Sequence, residues 1–556
     1  GNRKVKSKHK VTNAKLMVCS EHIYTTMSEK KGNSNVICTD VGSNSVRVAI
    51  INVNAANICR VLCTTTKEIT VYNRKPLYYE QKTSEIWDAV CFCIRQCLQS
   101  VHLDFRTIDA IAFTATCSLV IVEESSNLND VIMWMDHRAI REAERITESD
   151  CKILNNFGTI CSPEFSISKM LWLQNNHRER FAEAIAFFEL PDWLCWRATR
   201  TNATTCDQFP RSVCCTTCKW GFDSESGQWP NDIFSILNGD YADDIKRRIG
   251  EKSALPGTFI SNLSEEAAIE MGLVSPLLRD NYKENSSIAV ASSLIDAHSG
   301  VLAMISLFLS TRKEKKENDP LESIMCMIAG TSTCHMVLNK QRTLTIGVWG
   351  PYYDVIFPDY YLREAGQSAV GKLLEFLVTS HPDYETIYKN CSFDAVIKAL
   401  NKIVSAKRNS RQMNSLHVIP SFHGNRSPFA NPTLKGGIYG LDLNRTDLAT
   451  LYEAAIESLA YETKLIIEKM NLSKLNTILV CGGLAKNEIY IQTHADVLNC
   501  EVITMRGGDA DMMLIGCALL ARQAALRSDL SVQHLQNISM PDLQMQSFNP
   551  NSAFFS

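Results

Sequence analysis

One short pattern constrains this chain more than any other, because it occurs twice. VICTDVGSNSVRVAI lies near residue 40, and IMCMIAGTSTCHMVL lies near residue 330. Each reads as an apolar strand, a Gly/Ser/Thr turn and a second apolar strand, which is a hairpin. Laid one beneath the other, Gly330 falls under Gly42, Thr331 under Ser43, Thr333 under Ser45 and Val337 under Ala49, while Asp40 faces Ile328. The same hairpin at the start of each half points to two related α/β domains facing each other. Two short hairpins can also look alike by chance, so the chemistry of the turns has to carry weight.

Polyphosphate needs backbone N–H donors and no bulky side chain in the way. Glycine gives close approach, and Ser/Thr hydroxyls add donors. Two such turns on opposing domains could grip one nucleotide from both sides. Asp40 then stands where Mg²⁺ is expected, since that ion takes one or two carboxylates together with phosphate oxygens and water. The chain has no GxxxxGK[ST] loop and no GxGxxG after a strand. A second carboxylate, Asp296 in SLIDAHSG, falls at a strand-to-helix junction. It can serve as general base toward an acceptor hydroxyl or simply cap the helix. In ILVCGGLAKNEIYIQTHADVL an apolar strand ends at Gly482 and Gly483 before a helix. That geometry suits a flat ring against backbone and negative charge at the helix start, or a plain strand–turn–helix connection.

Length and composition set the frame. A chain of 556 residues has room for two large domains, and 45% hydrophobic with 21% charged residues is ordinary for a soluble globular protein. A net charge of −3 gives no global field for nucleic acid or membrane. The apolar stretch from Ile288 to Leu309 holds Asp296 and His298 in its middle, so it reads as a buried strand and helix rather than a membrane span. The 21 cysteines read as buried thiols. The densest group is Cys206, Cys214, Cys215 and Cys218. Cys215 and Cys218 have half a zinc-knuckle spacing, with no second CxxC and no nearby His. The basic start, GNRKVKSKHK, lacks the apolar core of a signal peptide. It reads as a solvated tail, with a localisation signal as the alternative, and a cytoplasmic protein is expected.

The succession DVGSNSVR, WMDHR, IDAHSG, AGTSTCHM, HGNRSP and CGGLAKN, from about residue 35 to 525, resembles the FGGY carbohydrate kinases. MWMDHRA, LPDWLCWRAT, VWGPYY and EAGQSAVGKL are similar to the ribulokinase-type branch. The resemblance implies two actin-like, ribonuclease H-like ATPase domains around a central cleft. It implies ATP and Mg²⁺, a small-molecule sugar as partner, and no nucleic acid or membrane; a homodimer is an open arrangement. The expected layout is a basic tail over 1–34, a sugar-binding domain over 35–310, a linker over 311–323, a nucleotide-binding domain over 324–527 and a tail over 528–556. The charged linker TRKEKKENDPLES could also be a surface loop.

Carried over residue by residue, the resemblance makes Asp296 the catalytic base and Asp40, with Asp296, the metal-associated acid. Gly42, Ser43 and Ser45 match the first phosphate turn, with Arg47 balancing its charge. Gly330 and Thr331 match the second turn. Gly482, Gly483 and Asn487 match the adenosine site, and Trp134, Asp136 and Arg138 match the sugar-contacting strand end. His423, Asn425 and Arg426 lie in a loop open to domain closure, an ion pair or ligand contact. Thr114 stands where the branch has Asp, Thr450 departs from the C-terminal signature, and Asp509 or Asp511 holds an acidic position. The expected reaction converts D-ribulose to D-ribulose 5-phosphate. Ribitol, L-ribulose, xylulose or glycerol as substrate, or a homologue with weakened catalysis, are the alternatives.

Overall fold

The computed structural model describes residues 33–551 apart from 55, 104, 124–129, 202–204, 238–241, 275–286, 312–319, 410–415, 444–446, 507–510, 529–530 and 532–537. The first hairpin forms β1 (Asn33–Val41) and β2 (Ser45–Asn54), extended antiparallel by β3 (Cys59–Glu68). On the other side β4 (Ile108–Ala115) joins β1 in parallel. With β5 (Phe259–Asn262), β6 (Ala289–Ala291) and β7 (Leu294–Ile295) this makes a seven-stranded sheet, ordered β5-β6-β4-β1-β2-β3 with β7 also on β4. The second hairpin forms β8 (Ile324–Ala329) and β9 (Thr333–Asn339). They join β10 (Trp349–Tyr353), β11 (Tyr361–Gln367), β12 (Thr477–Cys481), β13 (Glu501–Arg506) and β14 (Gln544–Phe548) in the order β10-β11-β9-β8-β12-β13-β14. In both sheets the hairpin has an antiparallel strand on one flank and a parallel strand on the other. This is the ribonuclease H-like sheet of an actin-type domain, present twice.

The repeat is not gap-free. Asp40 pairs with Arg47 across the first hairpin, whereas Ile328 pairs with Cys334 across the second. The second turn is therefore one residue shorter. Asp40 and Ile328 do correspond, but Thr333 matches Val46 rather than Ser45, and Val337 matches Ile50 rather than Ala49.

Strand alternation divides the apolar residues among three cores. Val36 and Cys38 of β1 face a central core, and Ile37 and Val41 face an outer one. Cys326 of β8 faces the same central core, while Met325 and Met327 face a second outer one. Strands buried on both faces read as continuous apolar runs. The amphipathic α1 (Thr83–Val101) covers the first outer face with Ile86, Val90, Cys93, Ile94 and Cys97, as its periodicity predicts. Between the sheets lie α2 (Val213–Trp220), α3 (Asp296–Thr311) and, later in the chain, α6 (Met512–Leu526). The second outer face is covered by α4 (Leu448–Lys469) and α5 (Glu488–Leu498).

The central helices are exchanged between the halves. Helix α3 continues the first sheet yet packs on β8 and β12 of the second, and α6 packs back on β1, β4 and β6. They cross with backbones nearly touching: a Cβ at Gly516 would lie 2.0 Å from the Ser299 carbonyl oxygen. The expected boundary at residue 310 thus separates the sheets but not the packing.

One segment reading changes, and two lie largely outside the described residues. The basic tail falls outside the described residues except Asn33 and Ser34, which already belong to β1. Most of the 311–323 linker also lies outside them, with Pro320–Ser323 forming a short helical turn into β8. The stretch read as a C-terminal tail contributes β14, which pairs antiparallel with β13. Among the described residues no helix is long and apolar enough to cross a membrane.

Candidate active site

The two hairpin turns face a common cavity of about 630 Å³. Gly42, Ser43 and Ser45 line one wall, and Gly330 and Thr331 line the opposite one. The turns close alike: Gly42 N donates to the Ser45 carbonyl at 3.0 Å, and Gly330 N to the Ser332 carbonyl at 2.9 Å. Gly482 and Gly483, after β12, complete the wall beside Gly330. Gly482 has φ +96°, and a Cβ there would lie 2.5 Å from the Ala329 carbonyl oxygen. Both the conformation and the contact demand glycine. Gly482→Ala is expected to cost about 1–3 kcal/mol, measured as a lower thermal unfolding midpoint. Gly483 faces open space and leaves bare backbone on the cavity. Lys486 and Arg506 add positive charge at this end.

Asn487 is not part of this wall. Its side-chain oxygen caps α5 by accepting from Tyr490 N at 3.2 Å, and its amide donates to Tyr452 Oη at 2.7 Å. It serves as a helix cap beside the cavity lining.

Of the two acids, Asp296 lines the cavity, and Asp40 lies buried behind the lining, near enough for its charge to act on Asp296. Asp296 opens α3 at the end of β7 and accepts from Ala297 N at 2.7 Å. Burial and the neighbouring Asp40 charge push its pKa up to about 6, against the pull of the Ala297 hydrogen bond and of Arg47. Asp40 is fully buried at the end of β1. One of its oxygens accepts from Thr114 Oγ1 at 2.9 Å, and the other pairs with Arg47. Thr114 therefore holds the acid in place and lies off the sugar pocket. Arg47 also pairs with Asp511, the residue that caps α6. A chain of Asp40, Arg47 and Asp511 so ties the two halves together. Asp511 lines the cavity and is the acidic position in question; Asp509 lies outside the described residues. Thr450 hydrogen-bonds Asp447 at the start of α4, remote from the cavity.

Beyond Asp296 the wall turns aromatic and charged. Trp134 lines it, its indole N–H donating to Ser43 Oγ at 2.9 Å. Trp349 faces it with Lys219 Nζ 4.5 Å above the ring. Glu164 and Arg426 form an ion pair at 3.1 Å between the halves. Burial alone would raise the Glu164 carboxyl, but Arg426 and His137 hold it down at about 2. Glu364 on β11 is 4% exposed, lines the cavity and has a carboxylate oxygen without a hydrogen-bond partner.

Asp136 and Arg138 do not join this wall. Asp136 is 0% exposed, and Arg138 donates to it through Nε at 2.8 Å and Nη2 at 2.7 Å. Glu80 takes a further bond from Arg138 at 2.8 Å, and the guanidinium stacks on Tyr78 and Trp172. Both Asp136 oxygens and Arg138 Nε and Nη2 are used internally, so the pair acts as a clip beneath the segment that carries Trp134. The groups that do reach the cavity include Glu164, Lys219, Trp349 and Glu364, none assigned from sequence. Trp349 and Glu364 lie inside VWGPYY and EAGQSAVGKL, so a signal was present for them. Of the loop residues, Arg426 lines the cavity, Asn425 donates to Glu462 at 2.7 Å, and His423 stacks on His137.

A polar cleft gripped by two ribonuclease H-like halves is the architecture of actin-type phosphotransferases, where nucleotide and acceptor meet between domains. Comparison narrows the class. The N-terminal domain of the FGGY family of carbohydrate kinases matches residues 35–238, and the C-terminal domain matches residues 325–525. The chain belongs to the FGGY family of carbohydrate kinases, and it is a sugar kinase. It is 34% identical over 520 residues to an FGGY carbohydrate kinase domain-containing protein of Homo sapiens, covering 89% of this chain and 90% of that one. It is 31% identical over 531 residues to a D-ribulokinase of Saccharomyces cerevisiae, covering 87% and 71%. Among solved structures, gluconate kinase from Lactobacillus acidophilus superposes with a TM-score of 0.73 at 17% identity, covering 94% and 95%.

Proposed function

We propose that the chain transfers the γ-phosphoryl group of magnesium–ATP to the terminal hydroxyl of a small ketopentose, converting D-ribulose to D-ribulose 5-phosphate in the cytoplasm. The observation that carries this reading is the position of Asp296: an acid with a raised pKa, open to the cavity between the glycine turns and the aromatic wall. The kinship to a yeast protein named D-ribulokinase supports the choice of sugar.

In this reading the turns at Gly42–Ser45 and Gly330–Ser332 present N–H groups to the phosphates, and Gly483 offers backbone to the adenosine. Asp296 lines the cavity with the Asp40 charge buried behind it, which suits a hard divalent cation, so Asp296 would hold Mg²⁺, with Asp40 contributing through water or through its charge alone. The ion would supply neutralisation of the phosphate charge. Asp296 accepts the proton of the attacking hydroxyl. Phosphoryl transfer has a loose transition state, so orientation and charge placement supply most of the acceleration. Trp134 and Trp349 wall in the sugar, and Lys219 and Glu364 meet its oxygens. A ketopentose closes its ring through O5, so the open-chain form must react, and its free carbonyl needs a cationic donor such as Lys219.

A sugar-dependent ADP-release screen over D-ribulose, L-ribulose, ribitol and xylulose tests the assignment. D-ribulose should give the highest kcat/KM. A higher value for another member reassigns the substrate, and no release with any of them sinks the reading. Glu364→Gln should raise the KM for the sugar with little change in that for ATP.

A further inference from the structure

The zinc-knuckle spacing at Cys215 and Cys218 does not survive in three dimensions. Cys215 Sγ turns toward Ser293 Oγ, 3.8 Å away, and Cys206 lies in a separate loop. Cys214 and Cys218, four residues apart, share one face of α2. His298 of α3 completes the group, and the three ligand atoms lie within 4.8 Å of one another. Cys218 Sγ and His298 Nε2 are 3.7 Å apart. All three residues are buried. Glu364 lies at the edge of the group and outside it: its unpartnered oxygen is 3.8 Å from His298 Nε2. Zn–S bonds of ~2.3 Å and Zn–N or Zn–O bonds of ~2.0–2.2 Å give tetrahedron edges of roughly 3.4–3.8 Å. The 3.7 Å between Cys218 Sγ and His298 Nε2 is close to the sulfur–nitrogen edge, while the Glu364 oxygen at 3.8 Å is farther from the imidazole than a nitrogen–oxygen edge of ~3.4 Å.

We propose that Cys214, Cys218 and His298 form a three-ligand site for a thiophilic divalent cation, zinc foremost, with the fourth position taken by water or by Glu364 once its side chain turns inward. Two sulfurs and an imidazole disfavour Mg²⁺, so this site is distinct from the one at Asp296. Binding requires both thiols to lose their protons to solvent. Cys218 precedes Lys219, and Glu364 lines the cavity, so the ion enters through the cleft. If Glu364 turns to the ion and also meets the sugar, as proposed above, occupied protein binds sugar less well. The metal site itself stands without that reading.

Cobalt(II) titration of the full chain, stripped with chelator and desalted, tests it. A thiolate-to-cobalt charge-transfer band should grow in the near ultraviolet and vanish when zinc displaces the cobalt. Cys214→Ser and Cys218→Ser should each weaken binding by at least ~10-fold, while Cys215→Ser leaves it unchanged. No band, or a band indifferent to Cys214→Ser and Cys218→Ser, overturns the site. Should the serine variants fold poorly, zinc-edge X-ray absorption on the unaltered chain decides. Two sulfur scatterers at ~2.3 Å support the site, and a shell of oxygen and nitrogen alone overturns it.

Discussion

Asp296→Asn is expected to lower kcat by ~10²–10⁴-fold, the usual worth of a positioned general base, while the affinity for ATP stays close to that of the unaltered chain. Asparagine keeps the shape and still accepts the Ala297 N–H, so the start of α3 should hold. What it loses is a lone pair basic enough for an alcohol proton. With the native acid pushed up to about 6, kcat/KM should fall below that pH, about two units above the point set by an ordinary aspartate. The same shift predicts a gain elsewhere. A carboxyl whose folded pKa exceeds its unfolded value stabilises the native state fully below about pH 4, and that contribution is lost as pH rises through 6. At pH 7 the ionised group, crowded against Asp40, costs on the order of 1–3 kcal/mol. Asp296→Asn should therefore melt higher than the parent at pH 7, with the difference closing near pH 4. A variant that retains near-normal kcat would remove Asp296 from the chemistry.

That the two hairpins, α1 and the Asp296 junction were legible in sequence has a local cause. Each is written in a few consecutive residues: an apolar run, a Gly/Ser turn, a period of 3.6. The turn-length difference between Gly42–Ser45 and Gly330–Ser332 was hidden because β-branched and small residues occupy both registers equally well. WMDHR says that a strand ends there. It does not say that Asp136 turns inward to Arg138 and the Tyr79 N–H while Trp134 turns toward Ser43. Lys219 is inconspicuous in CCTTCKW because only the folded α2 brings its amine over Trp349. Asn487 stands directly before α5 and caps it, a role that the resemblance to the adenosine site does not express. His298 is 80 residues from Cys218 in sequence, and no spacing rule reaches that far.

Arg426→Met should lower the stability of the chain by ~3–5 kcal/mol, the cost of breaking one partner out of a buried ion pair. Glu164 and Arg426 come from opposite halves and are both buried. The guanidinium also lies 5.6 Å from the Trp134 ring and 5.2 Å from the Trp349 ring. Methionine preserves the packing against both rings and removes only the charge. Glu164 is then left in a low-dielectric pocket with His137 as its remaining partner. In the parent its depressed pKa of about 2 contributes stability above the ordinary glutamate range, lost as pH falls toward 2. In Arg426→Met the carboxyl must rise instead, so the deficit should be largest at pH 8 and shrink on acidification as Glu164 takes up a proton. Glu164→Gln placed on Arg426→Met removes the orphaned charge and should recover much of the loss. That recovery separates an electrostatic latch from simple damage to packing, because damaged packing would make the two substitutions add. Since the pair is made across the cleft, Arg426→Met should also raise the KM for sugar in step with the loss of stability. Full stability in Arg426→Met, or no recovery in the double variant, would show that the Glu164–Arg426 pair does not hold the halves together.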